Sequence, residues 1–256
     1  MPRSMAESIF SLRAIAKNYG GVRALAGIDL DVLPGSVLAI CGDNGAGKSS
    51  LIKIMSGAEA PSAGTIQLRG QEVRFRSPHD ALAQGVATIY QELALAPRLS
   101  IAANVFMGAE LTRSIGVPLL RILDHARMAD EARGYLRQLS VDIADTSRPV
   151  ERLSGGQRQA VAISRALRWN AGVIIMDEPT AALGVKETAQ VLDLIRHLKA
   201  DGRTVILVSH SMRDVVALAT RVVILKSGRL VHDVTMGDVT ADDLSHMIMS
   251  APAEAA

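Results

Sequence analysis

An α/β fold with a mostly parallel sheet is what this 256-residue sequence predicts, and three observations carry that expectation. The apolar run Val37-Leu38-Ala39-Ile40-Cys41 reads as a buried strand, and a glycine-rich octet at 42–49 follows it. Ser50-Leu51-Ile52-Lys53-Ile54-Met55 then reads as the first turns of a helix. From residue 157 onward, short β-branched runs alternate with helix-length segments, the pattern of a parallel sheet covered on both faces. Before residue 91 the text is mostly strand-like, and between Gln91 and Arg152 the β-branched runs thin out.

In chain order, strands are expected at 8–17 and 28–33, separated by Asn18-Tyr19-Gly20-Gly21. Two short strands flank Gly70 within 65–75, and Val86-Ala87-Thr88-Ile89-Tyr90 is a further buried strand ending at Gln91. Residues 124–139 carry an amphipathic helical pattern. Helices are then expected at 156–169, 186–199 and 211–218, and strands at 173–177, 204–208 and 221–225. A short helical tail remains after about residue 240.

The length suits one large α/β domain or two small ones, and 48% hydrophobic residues suffice for a substantial core. With 28 basic and 26 acidic residues the net charge is +2, so no overall field favours nucleic acid. Aromatic residues make up 3%, which leaves few platforms for stacked bases, and no nucleic-acid partner is expected. Cys41 is the one cysteine, lies in an apolar strand, and reads as a small core residue. Met1-Pro2-Arg3-Ser4-Met5-Ala6-Glu7 leads into no apolar segment of signal-peptide length, and no run of 18 apolar residues occurs. A mean hydropathy of +0.22 is high for a water-soluble chain and points to a large buried sheet plus an apolar docking surface.

Gly42-Asp43-Asn44-Gly45-Ala46-Gly47-Lys48-Ser49 fits the G-x-x-x-x-G-K-[ST] phosphate-binding pattern of P-loop NTPases. Glycines 42, 45 and 47 let consecutive N–H groups converge on phosphate oxygens, and the following helix adds its positive dipole end. Lys48 would reach the β- and γ-phosphates and the Ser49 hydroxyl would ligate Mg²⁺, with Ser50 next in line. The plainer alternative, a glycine-rich turn with an ordinary lysine, fits the strand–loop–helix context poorly.

Leu153-Ser154-Gly155-Gly156-Gln157-Arg158-Gln159 matches the signature of ABC-type ATPases, and Val173-Ile174-Ile175-Met176-Asp177-Glu178 matches their Walker B pattern. Gln91 and His210 fall where that family has its Q-loop glutamine and switch histidine. The chain is identified on these motifs as a member of the ABC ATPases, and the resemblance covers roughly residues 8–235. It implies one nucleotide-binding domain over 8–240, a core and β-subdomain from 8–91 and 157–240, and an inserted helical subdomain over about 92–156. Residues 241–256 form a tail in this division.

The resemblance also implies roles. Asp177 would hold Mg²⁺ with Ser49, and Glu178 would polarise the attacking water as general base. Gln91 would touch Mg²⁺ or that water as a further catalytic residue and pass the nucleotide's state to the helical subdomain, against the alternative of a polar cap on the sheet edge. His210 would contact the γ-phosphate, and Tyr19 would stack on adenine, against the alternatives of a structural histidine and a strand-end tyrosine. Histidines 79, 125, 197, 232 and 246 lack such a context and read as solvated. Ser154, Gly155, Gly156 and Gln157 open a second helix whose N–H nest wants an anion, and the resemblance supplies the γ-phosphate on a second subunit. Family members commonly end the following D-loop in aspartate, whereas Ala181-Ala182-Leu183-Gly184 ends in glycine.

Ile89-Tyr90-Gln91-Glu92-Leu93, the stretch Leu99–Gly108, the stretch Asp177–Glu187 and Met236-Gly237-Asp238-Val239-Thr240 resemble single-domain, fructose-type sugar importer ATPases. That resemblance implies ATP and Mg²⁺ as cofactors and a homodimer beneath a separate permease. It further implies an extracytoplasmic sugar-binding protein and a peripheral place on the cytoplasmic membrane face. A module that retains ATP without hydrolysing it is one alternative, against which Glu178 and His210 argue. Two rivals stay open, an ABC ATPase of another transporter or exporter and a soluble ABC protein acting on DNA or ribosomes. Against the second, only 106 positions separate Lys48 from Ser154, too few for long coiled-coil inserts.

Overall fold

A computed structural model of the chain describes residues 8–114 and 121–250. Its first unit is an antiparallel sheet of β1 (Phe10–Tyr19), β2 (Val22–Val32), β4 (Ala63–Leu68) and β5 (Gln71–Val73), in the order β2-β1-β4-β5. The second is a six-stranded sheet that adds β3 (Val37–Gly42), β6 (Val86–Ile89), β9 (Val173–Asp177), β10 (Thr204–Val208), β11 (Arg221–Lys226) and β12 (Arg229–Thr235). Its order is β12-β11-β3-β10-β9-β6, parallel throughout except for β12 at one edge. The expected fold class is therefore present. A further pair, β7 (Thr112–Ser114) and β8 (Arg121–Leu123), is antiparallel.

All six residues of β3 are buried, as a central strand covered on both faces requires. Leu38 and Ile40 pack with Phe10, Ile28, Leu51 and Ile54, beneath the antiparallel sheet and helix α1 (Lys48–Met55). Ala39 and Cys41 point the other way, toward Val215 and Leu244. Those two residues belong to α7 (Met212–Leu218) and α8 (Ala241–Ser250). Burial pushes the Cys41 thiol up to about 12, in keeping with a core residue.

The remaining helices are α2 (Pro78–Ala83), α3 (Ile101–Phe106), α4 (His125–Gln138), α5 (Gly155–Arg168) and α6 (Val185–Ala200). Helix α5 joins two bodies, because it packs on α3 and α4 on one side and on α6 on the other. Ile101, Phe106, Met128, Leu136, Val161 and Ile163 share one cluster with Met176 and Leu194 of the sheet-and-helix core. Arg168 spans this seam, its guanidinium 5.0 Å from the centre of the Phe106 ring and its Nη2 donating to the Ala109 carbonyl.

Several elements depart from the sequence expectation. Strands β1 and β2 run to Gly20-Gly21 on either side, so the link over 18–21 shrinks to two residues. Helices α2 and α3 have six residues each, too short for a periodic signal, and are set by their caps. Ser77 accepts from the Asp80 N–H, and Ser100 from the Ala103 N–H. Edge strand β12 mixes Arg, His and Asp with its apolar residues, which hides it from a hydrophobic pattern. His197 is half-buried rather than solvated, held between Ser140 Oγ at 2.9 Å and the Asp193 carbonyl at 2.7 Å. The N-terminal residues 1–7 and the tail residues 251–256 lie outside the described residues.

Phe106 is fully buried at the seam, so Phe106→Ala is expected to cost about 3–5 kcal/mol in chemical denaturation. A loss under 1 kcal/mol would mean that the α3 contact does not hold the two bodies together.

Candidate functional site

The loop between β3 and α1 takes a shape that side chains would block. Gly42 has φ 147°, and a Cβ there would lie 2.2 Å from the Leu225 carbonyl oxygen of the neighbouring strand. Gly47 has φ 105°, and a Cβ there would lie 2.8 Å from the Ala24 carbonyl. The loop therefore uses glycine at two close approaches of backbone to backbone. Gly228, in the β11–β12 turn, braces the loop by donating its N–H to the Ala46 carbonyl at 3.0 Å.

Lys48 is 7% exposed and makes no ion pair in the site. Its Nζ donates to the carbonyls of Gly42 at 2.7 Å and Asp43 at 2.8 Å. Burial holds its pKa below the usual lysine value, while Glu178, Cys41, Asp43 and Asp177 oppose that shift. A cation hydrogen-bonded to carbonyls and to no carboxylate suits an incoming polyanion such as a triphosphate.

The sheet order brings two carboxylates to the same end, because β10 lies between β3 and β9. Asp177 ends β9, and Glu178 follows with φ 49°, its N–H bonded to the Val208 carbonyl of β10 at 2.9 Å. A non-glycine residue in that region is strained, and such strain collects at functional sites. Burial pushes both carboxyls above the usual range, with Lys48 and His210 pulling back. His210 Nε2 lies 3.4 Å from Glu178 Oε1, and the His210 backbone N–H donates to Oε2, also at 3.4 Å. Glu178 Oε1 makes no hydrogen bond in the structure. Ser211 caps α7 just after His210, and Thr180 Oγ1 donates to Asp214 of that helix at 2.8 Å.

Around these groups lies a cleft of about 460 Å³. It is lined by Asn44, Gly45, Gly47, Lys48, Ser49, Ser50, Gln91, Asp177, Glu178 and His210, together with Ala24, Ala181 and Val208. The last three were missed by sequence reasoning. Asp43 and Ala46 do not line the cleft, and Gly42 shapes the loop from behind.

Tyr19 stands apart from this cleft at the end of β1, 42% exposed. Its hydroxyl donates to Glu59 at 2.6 Å, and Lys17 Nζ lies 5.2 Å from its ring centre. The signature residues are also separate. Ser154 caps α5, accepting from the Gln157 N–H, and the Gln157 side chain accepts the Ser154 N–H in return. Gly155 lines a neighbouring cavity of about 630 Å³ that shares Gln91, Glu178 and Ala181 with the cleft. The 154–157 segment thus stays outside the cleft of its own chain.

Because Glu178 Oε1 is buried without a hydrogen-bond partner and burial raises the carboxyl's pKa, the ionised side chain burdens the folded state. The folded chain binds that proton more tightly than the unfolded one, so this contribution is most favourable at low pH and is lost as pH rises through the folded pKa. Glu178→Gln is therefore expected to raise the melting temperature of the nucleotide-free chain at neutral pH. The gain is expected to vanish as pH falls below about 4, where glutamate is protonated in both states. A gain that grows on acidification would contradict the buried-carboxylate account.

Comparison with known proteins agrees with this geometry. The family model described as ABC transporter matches residues 25–181. The chain is 46% identical over 239 residues to the fructose import ATP-binding protein FrcA of Rhizobium meliloti, covering 93% of this chain and 92% of that one. It is 40% identical over 242 residues to the xylose/arabinose import ATP-binding protein XylG of Sulfolobus acidocaldarius, covering 94% of each. Its fold matches a dimeric ATP-binding cassette bound to ADP and Pi, with TM-score 0.72 and 24% identity over 90% of this chain and all of that one. A phosphate loop with a buried lysine, paired carboxylates on the next strand but one, and this extent of likeness place the chain in the ABC transporter family, as one of its nucleotide-binding ATPases.

Proposed function

We propose that the chain is the ATP-hydrolysing subunit of a sugar importer, with a monosaccharide such as fructose as cargo. The observation that carries this reading is the near full-length likeness to a fructose import ATP-binding protein. A second sugar import protein, for xylose and arabinose, aligns over the same extent.

In this reading the 42–50 loop wraps the phosphates and Lys48 neutralises the β- and γ-phosphoryl oxygens. Glu178 takes a proton from the attacking water, a task suited to a carboxylate whose pKa burial has raised above the usual range. His210 orients that water and the γ-phosphate, and Tyr19 offers a ring face to adenine. The Ser49 hydroxyl, the Gln91 amide oxygen and the Asp177 carboxylate are hard oxygen donors on one cleft, which fits Mg²⁺. Among the described residues no group of three or more His, Cys, Asp or Glu could hold a metal by itself, as suits an ion bound largely through phosphates. When bound, Mg²⁺ offsets the charge that develops on the phosphoryl oxygens.

The signature residues 154–157 act in trans, on the nucleotide of a second copy, in a homodimer of two-fold symmetry. Their position outside the chain's own cleft supports this, as does the dimeric state of a matching cassette. No helix among the described residues is long and apolar enough to cross a membrane, so the permease is a separate partner in this reading. A groove of about 330 Å³ lined by His79, Leu82, Tyr90, Met107, Arg165 and Trp169 offers that partner an apolar seat beside Gln91. Arg165 ties it to the Gln91 loop, donating to the carbonyls of Leu93 and Ala94. The chain then lies on the cytoplasmic face of the membrane, with a sugar-binding protein outside.

Glu178→Gln is expected to keep ATP binding while lowering turnover by about 10²–10⁴-fold, whereas Lys48→Ala loses nucleotide affinity itself. Turnover at the wild-type rate in the glutamine variant would remove Glu178 from the mechanism.

The importer reading is tested by purifying the chain from native membranes with its permease and binding protein. Fructose-loaded binding protein is expected to stimulate ATP hydrolysis by the assembled complex, and free sugar is expected to leave the isolated chain unchanged. Stimulation by a non-sugar solute in place of every monosaccharide tried would overturn the cargo assignment.

A further inference from the structure

The D-loop residue that departs from the family pattern, Gly184, leads to a carboxylate that the roles described above leave unused. Gly184 occupies the N-cap of α6, with φ −71° and ψ 166°, and has no side chain with which to cap the helix. Glu187, three residues on, takes over. Its Oε2 accepts the Gly184 N–H at 3.4 Å. Its Oε1 accepts, at 2.7 Å, the N–H of Gly155, the first residue of α5. One carboxylate thus joins the starts of two helices, the one behind the D-loop and the one that opens with the signature.

The packing around this bridge is close. A Cβ on Gly155 would lie 2.5 Å from Leu183 Cδ2 and 3.1 Å from Glu187 Oε1. A Cβ on Gly156 would lie 2.6 Å from the Gln190 side-chain oxygen. Gly155 and Gly156 are buried against α6 while Ser154 is exposed. The Gly155 N–H therefore faces back toward α6, and the Ser154 end of the nest faces outward.

We infer that Glu187 is a positioning residue for the trans site: it seats the signature on the D-loop of its own chain, so that the nest is held ready for the partner's nucleotide. The inference rests on the reading that residues 154–157 act in trans. An ionised acceptor at a helix N-terminus makes a strong, directional contact, stronger than a neutral hydrogen bond. Leu183 and Gln190 pack on the same two glycines, and Glu187 adds the hydrogen-bonded link through which a shift of the D-loop is passed to the signature.

A merely structural role, capping α6, is separable from this one. An aspartate at position 184 has open space around its Cβ and an ordinary φ, and would cap α6 without reaching Gly155. The experiment compares full-length chains in the Glu178→Gln background, titrating Mg-ATP and reading dimer formation by size-exclusion chromatography. Melting temperature and the binding of a fluorescent ATP analogue to the monomer are measured alongside.

Glu187→Ala with Gly184→Asp is expected to melt like its parent and to bind the analogue equally well. It is expected to need about tenfold more ATP for half-maximal dimer, the scale of one lost charge-assisted hydrogen bond. Glu187→Gln, which keeps the length and one acceptor oxygen, is expected to fall between the two. A parent-like ATP requirement in both variants overturns the inference and leaves Glu187 as the cap of α6. If instead the Glu178→Gln parent forms no ATP dimer, or Ser154→Arg leaves that dimer intact, the trans reading itself fails and takes this inference with it.

Discussion

A buried lysine whose hydrogen bonds go to backbone carbonyls is the constraint around which the site is arranged. Lys48 cannot hold its charge in an apolar core, so the loop curls until the Gly42 and Asp43 carbonyls meet its ammonium. That curl requires glycine at 42 and 47, because the Leu225 and Ala24 carbonyls occupy the space of a side chain. It also requires β11 and the 228 turn to stand beside it, which fixes β3 at the centre of the sheet. The same positive charge makes two half-buried carboxylates tolerable at 177 and 178. The lysine opposes the upward shift that burial gives both carboxyls, and they oppose the downward shift that burial gives the lysine.

Much of this was legible in the sequence. Five buried residues before Gly42 announce a covered strand, and the βα alternation after 157 announces the parallel sheet, since both signals follow from burial. The site was legible for a different reason. Phosphate loops are made of backbone, and backbone shape is dictated by glycines that stand out in the text. Ala24, Ala181 and Val208 were not legible, because they contribute walls rather than chemistry and only the folded chain says which walls face the cleft. Gly228 did leave a trace, a Ser-Gly dipeptide between strands, but nothing local says that this turn buttresses a loop some 180 residues earlier.

The elements that escaped the sequence are those whose stability is mostly non-local. Helix α3 has six residues, below the length at which a helix sustains itself, and is fastened by Ser100, by Asn104 and by its burial against α5. Asn104 is fully buried, with its amide spent on the carbonyls of Ala96, Leu99 and Ser100, so it holds the chain's path into that helix. Such a residue looks unremarkable in the text and becomes informative only when its partners are known.

The solitary cysteine has a practical side. Cys41 is sealed within the sheet, and with its thiol pushed up to about 12 it carries almost no thiolate near neutral pH. Maleimide and other thiol reagents act on the thiolate, so the native chain offers them nothing to modify while it stays folded. A cysteine placed at an exposed position, Val185 for example at 91% exposure, would then be labelled alone. Spectroscopic rulers for distances within and between copies can be installed without first removing a native thiol, and uptake of label at Cys41 would itself report unfolding.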